Sequence, residues 1–534
     1  MFLPANNAAS PTSYGDSSPA PVGGWNARDP LAMMGKYDAI FLDNFFPRPG
    51  DIQLRRGSAP WAAVPEGERT RSLLVYNGLK GFSKMFACTD YGIYDVSRSR
   101  EVPPKVSDSA NGAFEAVNIS TAGGNFLWCC NGNGPAKVYN GETWTDLSPT
   151  STPPLTGIPS EKVTAVTLFK SRLFLCRRHS LSFYYLPVNS IAGEAQEFPL
   201  GAIFRRGGYI AAIGTWTLDG GNGPDDYLAV VTSEGEVAIY AGTDPSNAAA
   251  WGLKGVYEIG APLGKRCLFK FGGDLLFLSV RGLFPLSKAL QSAVVDARSA
   301  VSDKISNAWV DYAQQYQNLF GWQIESAPNL SMLLVNVPVQ YQNPAFPVDS
   351  VQFVMNTQTG SWTRFTGMPA EVWAYFNSRL HFARGNTVYV AWEGGSDVQA
   401  EFAEPQPIEG SVRTAFFYPG GRGNLTRVTM LRPLVSSNGG NLSFQLGVDH
   451  DYANRGLSGN QLTFPQTGSL WDVGEWDDAL WFDNDPRAAT LTAQWKSVNH
   501  YPGRALALRL RVRSKDVSMI WTATDFILQK GGMM

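Results

Sequence analysis

Histidine is nearly missing from this sequence: only His179, His381, His450 and His500 occur, each alone in its own segment. HExxH, GxSxG and phosphate-cradling Walker patterns are also missing, so the common metalloprotease, serine-hydrolase and nucleotide-binding signals all fail. The five cysteines, Cys88, Cys129, Cys130, Cys176 and Cys267, have no CxxC spacing, and four lie in apolar, strand-like runs such as "NFLWCCN". That pattern predicts buried free thiols in a reducing cytoplasm rather than a disulfide framework. No apolar run is long enough to span a membrane, and the first residues lack a charged region followed by an apolar one, so no secretion signal is expected. The sequons at Asn118, Asn329, Asn424 and Asn441 then read as chance matches. Charge of one sign is lacking too: 44 Lys+Arg balance 46 Asp+Glu, a net charge of −2, which excludes a broad electrostatic grip on DNA or an anionic membrane.

Glycine, aromatic residues and short alternating runs are what the chain does contain. Its 534 residues suggest roughly three or four domains, or two large all-β units and an arm. Residues 1–24, rich in Pro, Ser, Ala and Asn, are expected to form a flexible arm. Residues 25–67 read as an extended strap pinned on a surface by aromatics, among them Trp25, Phe45 and Phe46.

From 68 to 397 the pattern becomes a series of paired short strands around Gly/Asn/Asp turns, including "KMFACTDYGIYDVS", "RLFLCRRHSLSFYYL", "YLAVVTSEGEVAIYAG" and "RLHFARGNTVYVAWEG". The turns recur every 40–55 residues or so, the trace left by β-propeller blades, each of which must stack on a neighbour to bury its second face. Six, seven or eight blades fit, with a β-sandwich array as the alternative. Residues 285–317 carry the helical insertion, where Val294, Ala297, Val301, Ile305 and Ala308 step by three and four. The proline-bearing stretch 336–350 reads as a protruding loop. An acidic linker at 398–410 leads to 411–534, where about six longer alternating strands predict a β-sandwich or jelly-roll. The fold class is thus all-β: a propeller-like domain with a helical insertion, then a sandwich-like domain.

The sandwich contains "LWDVGEWDDALWFDND", residues 470–485, in which Trp471, Trp476 and Trp481 fall five apart. A step of five turns about 140° in a helix and changes face in a strand, so no regular face carries all three rings. They fill a partner's pockets, pack in their own sandwich, or form a sugar platform. Carboxylates in this run offer a weak glycosidase pair. "YNGETW" (139–144) and "NTQTGSWTRF" (356–365) resemble the turns of sialidase-like propellers but lack the aspartate, and read as hairpins that pack Trp144 and Trp362 against the next blade. "DGGNGPDD" (219–226), "DHDYANRG" (449–456) and "DNDP" (483–486) hold oxygen ligands for calcium, yet none follows the twelve-residue calcium loop, and Asp, Asn and Gly make turns anyway.

"PVGGWNARDPLAMMGKYDAIFLDNFFPRPGDIQLRRG", "GLFPLSKALQ…AVSDKISNAW" and "WDVGEWDDALWF", in this order, resemble a family of virion structural proteins of short-tailed bacteriophages, similar to podovirus tail-nozzle or tail-hub proteins. The resemblance implies a non-enzymatic ring, a hexamer, at the distal end of the tail. It would be assembled in the host cytoplasm and contact an adaptor or head-completion ring and fibre, spike or plug proteins. Packaged DNA would be retained by the ring and later pass without sequence-specific binding. No catalytic, cofactor or metal residue is carried over, and no membrane insertion is implied. Blade edges are expected to be completed by sister copies, with Trp471, Trp476, Trp481, Trp25, Phe45 and Phe46 as the interface residues. The alternative is a receptor-binding or tailspike-like propeller that recognises host glycan, with or without cleaving it; a stand-alone sialidase-like enzyme is a third reading.

Overall fold

In "LALRLRVRS" every second side chain is apolar, and in the computed structural model Leu506, Leu508, Leu510 and Val512 are buried while Arg511 and Arg513 face outward. Period-two alternation of this kind builds half-buried strands throughout the chain. The structure describes residues 13–78, 82–99, 103–219, 224–289, 297–339, 349–398, 404–437, 442–454, 456–457, 461–464, 495–498 and 501–530. They form two compact units: one takes residues 59–353 and 368–391, the other 1–58, 354–367 and 392–534.

The first unit is a propeller of seven small antiparallel sheets. Blade 1 consists of Ser72–Tyr76, Lys84–Cys88, Gly92–Asp95 and Lys105–Asp108; blade 2 of Glu115–Thr121, Gly124–Cys130, Lys137–Tyr139 and Trp144–Asp146. Blade 3 has Val163–Phe169, Arg172–Arg177, Ser182–Tyr185 and Gln196–Pro199; blade 4 has Ile210–Asp219, Pro224–Thr232, Glu236–Gly242 and Trp251–Glu258. Blade 5 has three strands, Leu268–Phe271, Asp274–Ser279 and Gly282–Pro285. Blade 6 starts with Gln323–Ala327 and Met332–Val339, and blade 7 is Val372–Phe376, Arg379–Arg384 and Thr387–Ala391. Seven thus resolves the range of six to eight.

Neighbouring blades are sealed by side chains neither could bury alone. Between blades 3 and 4, Phe174, Phe183, Tyr240 and Trp251 form one cluster, with the Tyr240 and Trp251 rings stacked at 5.4 Å. Fully burying such a ring contributes about 1.5–3 kcal/mol. In blades 3 and 7 the first hairpin turns on two consecutive left-handed residues, Lys170–Ser171 and Asn377–Ser378, the backbone a two-residue turn needs to follow the strand twist.

The ring closes within one chain, so its seam needs no sister copy. The strand Ser58–Ala63 precedes blade 1 yet pairs with Thr387–Ala391, the last strand of blade 7. Just beyond it the Val64 amide donates to the Asn386 carbonyl at 2.8 Å, and Ala62 and Val64 share a core with Leu73, Met85, Phe376 and Val388. No propeller edge is left at this seam for a second molecule.

The expected helix over 285–317 is broken. Its described residues are a single turn at Leu286–Ala289, short turns at Ala297–Ser299 and Asp303–Ile305, and a helix only at Ser306–Tyr316. The break has a cause: the Val301 amide donates to the Leu283 carbonyl and the Ser302 hydroxyl accepts from the Leu283 amide, so this stretch follows blade 5. Trp309, on the helix, is buried, and its ring nitrogen donates to the Ser279 carbonyl.

The second unit is a two-sheet sandwich. One sheet runs Asp38–Asp43, Gln406–Thr414, Leu506–Ser514, Leu442–His450 and Gln461–Phe464. The other runs Phe45–Arg48, Asp51–Leu54, Ile520–Lys530, Thr426–Ser436 and Lys496–Ser497. The sheets face each other at Gly410, where a β-carbon would lie 2.6 Å from both Leu54 and Phe45. Asn44 carries the chain from one sheet to the other: it is left-handed (φ 59°), and its amide donates to Thr366 and to the Glu409 carbonyl.

Three sequence-based boundaries therefore change. Inside the presumed arm, Ser13–Pro19 is a strand whose seven residues pair with Ala523–Gln529; backbone hydrogen bonds to a strand of the sandwich outweigh a composition that favours disorder. The presumed strap forms strands of both sandwich sheets, and residues 406–410 of the presumed linker begin a sandwich strand. Most of the loop expected at 336–350 lies outside the described residues, but its start, up to Val339, is a blade 6 strand.

Candidate functional site

A polar cluster centred on Arg266 joins four blades of the propeller. Arg266 enters from the start of blade 5. Its Nη2 donates to the Arg71 carbonyl (3.1 Å) ahead of blade 1 and the Phe114 carbonyl (3.3 Å) ahead of blade 2. Its Nη1 donates to Gln323 Oε1 of blade 6 at 3.4 Å, and its Nε lies 3.5 Å from the Glu115 carboxylate of blade 2. In a ring of seven, blades 1 and 2 are the farthest from blade 5. The guanidinium therefore spans the central opening and closes it at that level.

Burial sets the electrostatics. It raises the Glu115 carboxyl and pushes Glu325 up to about 7, in both cases against the pull of Arg266. The Phe320 ring, 37% exposed, lies 5.9 Å from the guanidinium. Behind it Gln323 is locked, donating to the Trp373 carbonyl (2.7 Å) and accepting from the Trp373 amide (3.1 Å). Every Arg266 nitrogen has a protein partner, so the cluster is a plug, not an open receptor for substrate.

The thiols near it, Cys88 and Cys267, are held in the unreactive protonated form. All five cysteines are buried and free, and burial raises each thiol, Cys88 to about 12. His381 is buried against Trp61 at 5.2 Å, which depresses its pKa to about 4 and leaves the ring neutral. Among the described residues no group of three or more His, Cys, Asp or Glu could hold a metal ion, and no helix is long and apolar enough to cross a membrane.

Several sequence-predicted residues land elsewhere. Trp471, Trp476 and Trp481 lie outside the described residues, as does "DNDP". Trp25, Phe45 and Phe46 are 6%, 0% and 4% exposed, filling the core of their own sandwich, so they offer no ring to a partner. Their expected role as interface anchors fails for that reason. Trp144 does pack between blades, 5.1 Å from Phe86 of blade 1, and Asn140 takes the place of the missing aspartate by accepting from the Glu142 and Thr143 amides. Trp362 instead belongs to the sandwich and is fully buried. In "DHDYANRG" the oxygens are taken: Asp449 pairs with Arg413 at 2.7 Å, and Asp451 accepts from the Arg504 and Ala505 amides. Sequence reading missed Arg266; its signal was the basic pair in "LGKRCLF", placed where a blade begins.

No protein-family model matches the chain, and no curated protein matches it. Among solved structures it is similar to BBS1N in the crystal structure of its complex with ARL6DN, at 10% identity over 64% of this chain and 96% of that one, with a TM-score of 0.36. It is likewise similar to the Pan2 WD40 domain of Neurospora crassa, at 11% identity over 63% of this chain and 95% of that one, TM-score 0.35. Likeness at this level says nothing of function, and the propeller stands on the strand ladders themselves.

Proposed function

We propose that the chain is a non-catalytic structural subunit of a short bacteriophage tail, forming a nozzle or hub of sister copies, six by resemblance, that retains packaged DNA and lets it pass. The observation that supports this reading is Arg266 reaching from blade 5 to blades 1, 2 and 6, which fills the propeller axis at that level with protein rather than leaving a tunnel. On this reading DNA runs between copies, along a channel lined by their outer surfaces. A net charge of −2 suits a conduit, because Lys/Arg contacts to phosphate dominate nucleic-acid affinity. With Trp25, Phe45 and Phe46 consumed in the core, the interface role falls to Trp471, Trp476 and Trp481, together with contacts to an adaptor ring and to fibre, spike or plug proteins.

Imaging of intact particles carrying this chain tests the proposal. A six-fold ring continuous with a DNA-filled channel is expected at the distal end of the tail. Peripheral three-fold spikes, or sugar released from host envelopes by the purified chain, would overturn it in favour of a glycan-recognising spike.

A further inference from the structure

On the outward face of the sandwich sheet that carries the arginine row lies a cleft of about 440 Å³ that the tail role does not use. Its floor is one cross-strand row. Asp43 lies opposite Ser411, Ser411 opposite Arg511, and Arg511 opposite Gln445, so four neighbouring strands each supply one polar side chain at the same level. Strands are spaced about 4.8 Å apart, close to the length of one sugar ring. The row therefore presents carboxylate, hydroxyl, guanidinium and amide at saccharide steps. Arg364 holds Asp43 in place at 2.8 Å. Half-buried Phe41, with the Arg509 guanidinium 5.7 Å from its ring, forms a wall.

The balance of donors and acceptors selects the occupant. Two carboxylates stand against four guanidiniums: Arg364 pairs with Asp43, Glu409 faces both Arg511 (3.3 Å) and Arg513 (3.4 Å), which are 59% and 68% exposed, and Arg509 lies over Phe41. A phosphate chain only accepts hydrogen bonds and has no hydroxyl to donate to Asp43 and Glu409, and an apolar segment would strip water from all of these groups without replacing it. A polyol can donate to the carboxylates and accept from the amide and guanidinium in one pose, and a carboxylate on it would take the surplus positive charge. We propose that this cleft binds a short acidic oligosaccharide, with sugar hydroxyls on Asp43, Ser411 and Gln445 and a sugar carboxylate on Arg511.

Calorimetric titration of the full chain with trigalacturonate, trimannuronate, maltotriose and a short DNA duplex tests this. Saturable binding of at least one uronate is expected, weakened about tenfold or more in Arg511→Ala and in Gln445→Ala, the former lowering the binding free energy by the loss of one charge-assisted pair. Arg511 is exposed and Gln445 half-buried with no core role, so the melting temperature should hardly move, and Lys515→Ala, outside the cleft, should bind as the parent does. Absence of saturable uronate binding, or unchanged binding in Arg511→Ala, would overturn the site. Maltotriose binding as tightly as the uronates would overturn the guanidinium–carboxylate pairing, and salt-sensitive DNA binding lost in Arg511→Ala would make the face a nucleic-acid surface instead. None of these outcomes depends on whether the chain forms a ring.

Discussion

Arg55 and Asp397 stand 342 positions apart in sequence and form a doubly hydrogen-bonded ion pair inside the sandwich unit, Nη1 to Oδ1 at 2.9 Å and Nη2 to Oδ2 at 2.6 Å. Their side chains are 1% and 4% exposed. The remaining donors of Arg55 reach Asn44 Oδ1 and the carbonyls of Arg56 and Thr366, so the buried fork is fully engaged.

Removing one partner leaves the other charge buried and alone. Asp397→Asn should destabilise the sandwich by about 3–5 kcal/mol, read as a lower midpoint in chemical denaturation. Arg55→Lys should not rescue it, because an ammonium cannot serve five acceptors held in a plane.

The axial plug makes a similar demand in the propeller. Arg266→Ala strands the Arg71 and Phe114 carbonyls and the Glu115 carboxylate and should cost about 1–3 kcal/mol. Thermal unfolding of the variant checks the size. An unchanged melting temperature would mean that water replaces the guanidinium without penalty.

Half-buried Glu325 and buried His381 push the pH dependence of stability in opposite directions. The folded chain holds the Glu325 proton more tightly than the unfolded chain does, so stability from this group falls as pH rises from about 4.5 to about 7. His381 binds its proton less tightly when folded, so its contribution rises with pH between about 4 and 6.5. Glu325→Gln removes the first effect. Stability measured against pH should therefore climb more steeply through this range in the variant than in the parent.

Thiolates are the reactive form of cysteine, and burial keeps all five protonated. Native chain exposed to iodoacetamide near pH 8 should take up no label, and unfolded chain should take up five. Labelling of Cys88 in the native state would mean that blade 1 opens.

The propeller was legible because its signal is local. Hairpin turns such as "VTSEGEVAIY" announce each blade within ten residues, and the spacing between turns announces the ring. Alternation announced the sandwich strands in the same way. The membership of residues 13–54 was not legible, because Ser13 pairs with Gln529 and nothing near Ser13 encodes that partner. Trp25, Phe45 and Phe46 were misjudged since an apolar ring looks the same in sequence whether its own chain or another covers it. Arg266 was invisible as a plug because only the closing of seven blades brings Arg71, Phe114 and Gln323 within its reach.

The pairing of Ser13–Pro19 with Ile520–Lys530 also imposes a schedule. A ribosome adding about 5–20 residues per second needs roughly 25–100 s to travel from one strand to the other. Throughout that interval Ser13–Pro19 waits without its hydrogen-bonding mate, while the blades are added one after another and the last of them ends at Ala391, well before Ile520–Lys530 is made. The propeller is thus free to mature during translation, and the sandwich is finished only as the last strand emerges.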